Sequence, residues 1–447
     1  MMRVVDNHRA ELSPIPFGWT HARMKAAVKR YQANKNKDEN PTVLSLTKKG
    51  IKVKTDLSFG KSTESYIGHQ IVSKGQFVFT PRDFDATPIL CGVSEYDGCI
   101  SNLYIVFDIQ GTLLPKYLEY YFYGLKYGFN YFEKLSFGMR YSFNKQQFEH
   151  IPLIYPDIEK QEEISNFLDI ETSRIDQLIE KKNKLINAIE EKRSHIIDRT
   201  IREGISEAEM KTPDLFWLNK FPKHWKLKRL RHIGTLQNGI SQGAEYFGSG
   251  YPFIGYGDVY KNPLLPRSLD GLAMSSEDDQ RRFSVKRGDV FFTRTSETAE
   301  EIGISSVCTE TIEKATFSGF LIRFRPDKNI LYPEYSKYYF RSDIPRLFFV
   351  KEMNLVTRVS LGQNLLKNVP VLLPPLNEQK ELAEFLDNKT SIIDEIIEKE
   401  NRSIDKLIEM KSSLITEAVT GQLDIEAWKN RNTVDRRLDK IEEEMAS

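Results

Sequence analysis

The amino-acid sequence contains one long segment twice. The first copy begins at Pro152 with PLIYPDIEKQEEISNFLDIETSRIDQLIEKKNK, and the second begins at Pro370 with PVLLPPLNEQKELAEFLDNKTSIIDEIIEKENR. The copies align without a gap at an offset of 218 residues, from Pro152 to Pro370. Identical pairs within the alignment include Gln161/Gln379, Phe167/Phe385, Asp169/Asp387, Asp176/Asp394 and Ile186/Ile404. A chain that repeats so long a segment must either build two related units or pair the two copies with each other.

Each copy predicts a short strand followed by a long helix. The strand is apolar and ends at a proline, which can continue neither a ladder nor a helix. Apolar residues then recur at steps of three and four, from Phe167 to Ile197 and from Phe385 to Ile415, which indicates an amphipathic helix in each copy. Glycine follows near both ends, at Gly204 and Gly421, as is typical of helix termination.

A helix of roughly 40 residues is about 60 Å long and cannot cover its own apolar stripe. Two copies in one chain can cover each other, so we predict an antiparallel intramolecular coiled coil. Asn183 and Asn401 occupy matching places near the stripe, where a polar residue can fix the register of two helices. If the helices were the only repeated part of the chain, their pattern would favour a generic coiled-coil dimerisation arm.

The repeat extends beyond the helices, which favours two tandem modules. Short passages in the first part of the chain match passages in the second: residues 15–25 with 221–231, 72–82 with 285–295, 101–108 with 318–325, 114–122 with 332–340, and 139–144 with 357–362. In the second of these pairs, a turn at Gly75 or Gly288 precedes a strand rich in aromatic and β-branched residues. The predicted fold class is mixed α/β (α+β), with two tandem modules, each followed by a long helix.

These landmarks give five segments. They are a first module at residues 1–150, a first helix region at 151–204, a linker and second module at 205–368, a second helix region at 369–421, and a charged tail at 422–447. Between the landmarks the modules diverge, since residues 30–70 have little in common with residues 237–282. A shared scaffold with different insertions is expected where one frame presents two different recognition surfaces.

Composition excludes some classes of protein and leaves others open. The 447 residues carry a formal net charge of +1, so any basic surface must be local. The three cysteines form neither a CxxC motif nor a zinc-type cluster with histidine, which argues against a disulfide scaffold or a structural metal. No apolar run approaches the roughly 20 residues of a membrane span, and the polar start is unlike a signal peptide. We therefore expect a cytoplasmic protein.

The sequence offers no catalytic constellation. It has no GxxxxGK[ST] phosphate loop, no Asn/Asp-Pro-Pro-aromatic tetrapeptide of the kind that amino-methylating enzymes use, and no glycine-rich cofactor loop after a strand. The Gly248-Ser249-Gly250 passage resembles such a loop and is interpreted as a turn. We predict no catalytic and no metal-binding residue.

The candidates for DNA contact are basic residues clustered in each module, together with basic and polar residues at or near predicted strand ends. Arginine suits bidentate contact with guanine or phosphate, and strand ends leading into loops expose such groups. Arg140 aligns with Arg358, and each either contacts DNA or pairs with an acid inside its module. The complete candidate set is Lys48, Lys49, Thr80, Arg82, Arg140, Tyr141, Arg281, Arg282, Thr293, Arg294 and Arg358.

Taken together, these motifs resemble the specificity subunit of type I restriction-modification enzymes. The resemblance lies in the two strand-Pro-x-x-x-x-Gln passages, the FLD sequences after them, the KGQFVFT and RGDVFFT strands, and the Pro-x-x-Trp module openings. The first copy departs from the usual Pro-Pro-Leu form at Tyr155-Pro156-Asp157. The resemblance implies that each module is a target recognition domain for one half of a bipartite double-stranded DNA target.

The resemblance also implies partners and cofactors. The paired helices would act as a ruler and as the docking surface for two modification subunits, and restriction/translocase subunits would complete the complex. The helix residues assigned to docking are Phe167, Ile175, Ile179, Ile186, Phe385, Ile393, Ile397 and Ile404. S-adenosylmethionine, ATP and Mg²⁺ would belong to the partner subunits, and this chain would hold no cofactor. The alternative is a non-catalytic coiled-coil scaffold that binds only protein, which would show no salt-sensitive affinity for DNA.

Overall fold

The computed structural model describes residues 15–47, 50–55, 65–82, 91–132, 142, 144–215, 218–296, 302–352 and 359–429. Lys48, Lys49, Arg140, Tyr141 and Arg358 lie outside these residues. The chain divides into two compact units: the first unit comprises Met1–Lys184 and Glu400–Ser447, and the second unit comprises Leu185–Lys399.

The first repeat contains ten strands and three α-helices among the described residues. The strands are β1 Thr20–Arg23, β2 Val28–Tyr31, β3 Leu44–Thr47, β4 Gly50–Val53, β5 Gln70–Val72, β6 Phe77–Phe79, β7 Cys91–Val93, β8 Gly98–Ile100, β9 Ile105–Ile109 and β10 Pro152–Tyr155. The helices are α1 Pro115–Tyr123, α2 Lys145–Glu149 and α3 Ile158–Glu203, with a 3-10 turn at Met24–Ala27 and a π turn at Gly124–Gly128.

The second repeat has a similar order of elements. Its described strands are β11 Met210–Lys211, β12 Phe221–Pro222, β13 Lys226–Arg229, β14 Gly234–Asn238, β15 Phe247–Ile254, β16 Leu272–Ala273, β17 Val290–Thr293, β18 Thr295–Ser296, β19 Ser305–Val307, β20 Thr316–Phe317, β21 Leu321–Pro326, β22 Val359–Ser360 and β23 Pro370–Leu373. Its helices are α4 Tyr256–Lys261, α5 Glu277–Arg282, α6 Pro333–Tyr339, α7 Asp343–Glu352, α8 Gln363–Leu366 and α9 Leu376–Val419, and α10 Ile425–Lys429 follows. Residues 230–232 and 244–246 form 3-10 turns.

Each unit is built around an antiparallel four-stranded sheet of the same topology. The strand order is β2-β9-β6-β7 in the first unit and β14-β21-β17-β19 in the second. The turn before the central strand has Gly75 or Gly288, both at a φ of +90°, where glycine is favoured. The sequence prediction of a glycine turn followed by a strand is confirmed in both modules.

The strand that opens each repeated segment pairs with the strand that opens its module. β1 pairs antiparallel with β10, and β13 pairs antiparallel with β23, in matching registers that join Arg23 to Pro152 and Arg229 to Pro370. The chain leaves both strands at a proline, as predicted, and enters the long helices α3 and α9.

The two long helices are antiparallel partners within each unit. In the first unit, the Lys411 ammonium lies 2.7 Å from the Asp176 carboxylate, and the Lys182 ammonium lies 2.7 Å from that of Glu400. The residue number rises along α3 as it falls along α9, which confirms the predicted antiparallel pairing. In the second unit, Arg193 lies 3.1 Å from Asp394.

The register residues differ from the sequence prediction. Asn183 and Asn401 are exposed, and Lys182 is the buried polar residue between the helices, with only 5% of its surface exposed. Its long aliphatic stem lies in the apolar seam and carries the ammonium to Glu400, which occupies the equivalent position in the second repeat. The prediction that the two asparagines fix the register was therefore wrong by one residue.

Both helices end at the predicted glycines. Gly204 has a φ of +80° and Gly421 has a φ of +71°, directly after α3 and shortly after α9. The tryptophan of a module opening lies against each glycine, Trp225 in the second unit and Trp19 in the first. A side chain at Gly421 would come within 2.7 Å of the Trp19 ring, so this end of α9 requires glycine.

The glutamine that follows each proline-terminated strand joins a long helix to its globule. Gln161 is fully buried. Its side-chain oxygen accepts from the Leu114 N–H at 2.9 Å, and its amide donates to the carbonyls of Thr112 and Pro156 at 3.0 and 2.9 Å. These bonds fix the beginning of α1 to the beginning of α3.

Gln379 makes the same three bonds in the second unit. Its side-chain oxygen accepts from the Tyr332 N–H at 2.8 Å, and its amide donates to the carbonyls of Ile330 and Pro374 at 3.0 and 2.9 Å. The identical pattern explains why the repeated segment retains glutamine at this place, since no other uncharged side chain of that length offers both an acceptor and two donors.

Replacing Gln379 with alanine should lower the free energy of unfolding of the second unit by about 3 kcal/mol, because it leaves a buried N–H and two carbonyls without partners. Denaturant unfolding followed by circular dichroism measures the change. Gln161→Ala should have a similar effect in the first unit. Gln177→Ala, at an exposed position of α3, is the matched control and should change stability by less than about 0.5 kcal/mol. If Gln379→Ala leaves the free energy of unfolding unchanged, these bonds do not stabilise the module.

Tyrosines of α1 and α6 extend the same connection. Tyr120 donates to Asp169 at 2.6 Å, and the equivalent Tyr338 donates to Asp387 at 2.6 Å. Burial, followed by the hydrogen bond to the carboxylate, raises the pKa of both phenols above their usual range, so both remain donors at neutral pH. The long helices are therefore fixed to both globules by matching polar contacts.

Candidate nucleic-acid interface

The predicted DNA-contacting residues at the strand ends fall into different environments. Thr80 follows β6 and is half-buried, and Arg82 is exposed and forms an isolated antiparallel bridge with Ser142. Arg82 is therefore accessible from the surface, and its contact with DNA stays a prediction. Of the eleven candidates, Lys48, Lys49, Arg140, Tyr141 and Arg358 lie outside the described residues and stay predictions.

Thr293 is a correction to the candidate set. It is the last residue of β17, and no part of its surface is exposed. β17 is an inner strand of the four-stranded sheet, and Thr293 pairs there with Leu321 of β21. A fully buried hydroxyl cannot contact DNA, and Thr293 belongs to the core of the second unit.

Arg294 lies at the boundary between the core and the surface. Its guanidinium donates to the Gly319 carbonyl at 2.9 Å, and its Nε is buried without a hydrogen-bond partner among the described residues. The side chain is half-buried, so one edge of the guanidinium holds a neighbouring turn.

Arg281 and Arg282 form an exposed basic pair on α5. The helix begins with a capping box in which Ser276 and Asp279 exchange hydrogen bonds, and the bond from Ser276 lowers the pKa of Asp279. Asp278 lies 2.5 Å from Arg281 and 3.8 Å from Arg282. Exposed ion pairs of this kind contribute about 0 to 1 kcal/mol, so a phosphate can replace the aspartate.

The Gly248-Ser249-Gly250 passage forms a bulge inside β15, where the sequence predicted a turn. Gly248 and Gly250 have φ values of +99° and +102°, and the pairing of β15 with β16 shifts between Phe247 and Tyr251. Glycine permits the strand to bulge and then resume its pairing, which the local pattern does not distinguish from a turn. Phe247 and Tyr251 are both exposed beside this bulge.

A polar pair that the sequence did not predict joins the two inner strands of each central sheet at one end. In the second unit, Arg325 donates two bonds of 2.6 Å to the buried Asp289 carboxylate. At the equivalent places in the first unit, Gln76 donates to Asp108 at 2.8 Å. Gln76 aligns with Asp289 and Asp108 aligns with Arg325 in the repeat. The donor therefore lies before β6 in the first unit and on β21 in the second, and the acceptor lies on the opposite strand in each case. Arg323, next to the pair of the second unit, is buried, which lowers its pKa to about 10.

The eight apolar residues assigned to docking are placed inside the units. Phe167 and Ile175 are buried in the core of the first unit, and Ile186 and Ile393 are buried in the second. Ile404 is also buried, and Ile179, Phe385 and Ile397 are half-buried. Only Ile179, Phe385 and Ile397 retain part of their surface, which corrects the expectation that all eight form a docking surface. A partner would have to use the outer faces of the same helices.

The described residues contain no group of histidine, cysteine, aspartate or glutamate that could hold a metal ion. No helix in the described ranges has a segment apolar enough and long enough to span a membrane.

The geometry shows two equivalent globules, each joined to the first part of its own long helix by the same glutamine and tyrosine contacts. The family model for the type I restriction modification DNA specificity domain matches residues 29–191 and 222–406, together more than half of the chain. The chain belongs to this family. The two matched segments correspond to the two repeats, so this is a protein with two type I DNA specificity domains and the mixed α/β fold that the sequence predicted.

Named relatives agree with the family. The chain is 24% identical to the type I restriction enzyme EcoKI specificity subunit of Escherichia coli over 64% of its own length and 60% of that protein. It is 21% identical to the type I restriction enzyme MjaVIII specificity subunit of Methanocaldococcus jannaschii over 75% of its length and 76% of that protein. The alignment to the EcoKI subunit thus spans less than two thirds of that relative. The relatives are named as specificity subunits, in agreement with the prediction that this chain is not itself an enzyme.

A solved structure shares the fold. A chain from a structure concerned with complex assembly and conformational transition of the type I R-M system superimposes with a TM-score of 0.68 at 15% sequence identity. The superposition covers 92% of this chain and 99% of that chain. At this identity the likeness shows the fold and nothing finer.

Proposed function

We propose that this chain is the DNA-recognition subunit of a type I restriction-modification complex, in which each unit reads one half of a bipartite duplex target. The observation that carries the proposal is a shared frame with different loops. The two central sheets have the same topology, and Gln161 and Gln379 make identical bonds to their modules. The insertions on those frames differ in sequence, so they present different chemical groups to DNA.

Two recognition units on one chain can bind two sequences separated by bases that neither unit contacts. Affinity would come largely from phosphate contacts by exposed cations such as Arg82, Arg281 and Arg282, and base choice from contacts in the grooves. This division predicts strong salt dependence of binding, which the protein-only scaffold alternative does not.

The proposal assigns chemistry to partner subunits. S-adenosylmethionine, ATP and Mg²⁺ would bind to the modification and restriction subunits, and two modification subunits would dock on the long helices. The outer faces of these helices expose isoleucines, Ile170 and Ile408 in the first unit and Ile392 and Ile396 in the second. Apolar side chains left exposed on an otherwise charged helix offer anchors for a partner.

The test is an exchange of the first module. Replacing residues 1–150 with the corresponding module of another specificity subunit should change one half-site and leave the other unchanged, because the second unit keeps its own frame and loops. Methylated adenines are mapped after the chain is expressed with its modification subunits. The chain purified alone should give no methylation, which serves as the control.

Two results would contradict the proposal. A change in both half-sites after the exchange would show that the modules do not read DNA independently. Binding to protein partners without any salt-sensitive affinity for DNA would favour the scaffold.

A further inference from the structure

Two equivalent β-turns lead into the central strands β9 and β21. They comprise residues 101–104 in the first unit and 318–321 in the second, and in each the N–H of the fourth residue donates to the carbonyl of the first, at 3.2 and 2.9 Å. The serine that begins each turn also accepts from the N–H of the third residue, at 3.3 and 3.2 Å. The third residue is Leu103 in one turn and Phe320 in the other. Both are exposed, Leu103 at 50% and Phe320 at 64%.

Each turn is held in place by a side chain from a neighbouring segment. In the first unit, the Gln70 amide donates to the carbonyls of the first and fourth turn residues, both at 2.8 Å. In the second unit, Arg294 donates its backbone N–H to the Phe320 carbonyl at 3.0 Å and its guanidinium to the Gly319 carbonyl at 2.9 Å. The apolar tips are therefore presented on fixed backbone, so little conformational entropy is lost when they contact a ligand.

A cation lies beside each tip. The exposed Lys35 donates to the Asn102 side chain at 2.5 Å, and Arg294 bonds to Gly319, so in both units the cation contacts the residue just before the apolar one. The first two residues of each turn are polar or small, Ser101 and Asn102 in one unit and Ser318 and Gly319 in the other, and the fourth residue is half-buried or buried, so the third residue is the apolar side chain that the turn exposes beside a positive charge. A protein interface needs a much larger surface of about 800 Å² on each partner. A single apolar tip beside a cation is the right size for one base edge next to a phosphate.

We propose that Leu103 and Phe320 are specificity-determining residues, each of which contacts the C5-methyl group of a thymine in the major groove of its own half-site. The inference rests on the proposed function and adds the contact chemistry. The inference accounts for an exposed apolar side chain at the equivalent position of both units, within a passage that the two repeats share. Leucine and phenylalanine differ in length, so the two contacts lie at different depths in the major groove. The two units can therefore select different sequences.

The experiment uses the full chain assembled with its modification subunits. Methylation mapping first defines the two half-sites, and each thymine is then replaced with uracil, which removes only the C5-methyl group. For the wild-type complex, uracil at one position of each half-site should weaken binding about fourfold, the effect of one buried methyl group. Phe320→Ala should remove that sensitivity in one half-site and Leu103→Ala in the other, so each variant is the control for the other. Leu347 is an exposed leucine on α7, and Leu347→Ala should leave the uracil sensitivity of both half-sites unchanged.

The outcomes separate the inference from the proposed function. If the wild-type complex is sequence-specific, but no uracil substitution depends on Leu103 or Phe320, the inference is wrong and the function stands. The same holds if either half-site lacks thymine, or if Phe320→Ala prevents assembly with the modification subunits. If the wild-type complex shows no sequence-specific binding at all, both are wrong. Thermal unfolding of each variant confirms that any loss does not come from misfolding.

Discussion

Inserting four residues into both long helices, after Lys184 and after Lys399, should lengthen the spacer between the two half-sites by one or two base pairs. Both positions lie where a helix passes from one unit to the other. Each added helical residue contributes about 1.5 Å, so four add about 6 Å, a little under two base-pair rises of about 3.4 Å. Four residues exceed one helical turn by only about 40°, so the apolar stripe can realign by local unwinding. Methylation mapping of the complex measures the spacer directly.

Two further insertions make this test specific. Seven residues in both helices add about 10.5 Å with a phase difference of about 20°, and should lengthen the spacer by about three base pairs. Four residues in α3 alone should reduce activity without a defined new spacer, because α3 and α9 are paired in both units and only one of them would be longer. Both half-site sequences should be retained in all variants that modify DNA. An unchanged spacer in the paired four-residue variant would mean that the helices serve assembly and do not set the distance.

Replacing Lys182 with methionine should lower the free energy of unfolding of the first unit by about 3 to 5 kcal/mol. The Lys182 side chain is 6% exposed and the Glu400 side chain 16% exposed, with 2.7 Å between ammonium and carboxylate. Removal of one partner leaves the other charge buried without compensation, and the cost of a buried unpaired charge exceeds the value of the pair itself. Denaturant unfolding is the measurement, with near-complete loss of assembled complex as the expected functional result.

The chain offers two controls for this substitution. Lys184 lies two residues after Lys182 and forms an exposed ion pair with Glu180. Lys184→Met removes this pair and should change the free energy of unfolding by less than about 0.5 kcal/mol. The double variant Lys182→Met with Glu400→Leu replaces both charges with apolar groups of similar size and should recover most of the lost stability. If the double variant is as unstable as the single one, packing at this site matters and the ion pair does not.

The repeat made much of the architecture predictable, because it compares the chain with itself. Chance does not place so long a pattern twice at one offset, so the strands ending at proline, the amphipathic helices and their antiparallel pairing could be predicted from the sequence alone. The turn glycines Gly75 and Gly288 and the terminal glycines Gly204 and Gly421 were predictable for the same reason, since positive φ is a local property that glycine meets at little cost.

The candidate interface was less predictable, because exposure depends on the neighbours of a residue in space. Thr293 stands at a strand end in the sequence, but its side chain is fully buried in the fold. The exposure of Leu103 and Phe320 could not be predicted from the local sequence, because an apolar residue between strands is expected in the core. Both side chains are exposed in the fold. A basic residue near a strand end is informative only when the surrounding loops are known.

The sequence by itself determined that two related modules alternate with two long helices, and that the helices pair. Only the tertiary structure decided which residues meet between them. Asn183 and Lys182 are adjacent, and the apolar stripe does not distinguish which of them turns inward. The choice depends on Glu400, which is 218 residues away in the chain and 2.7 Å away in the fold. Lysine can lie in that seam because its aliphatic stem packs against apolar neighbours while its charge meets a carboxylate, a partnership that no local pattern contains.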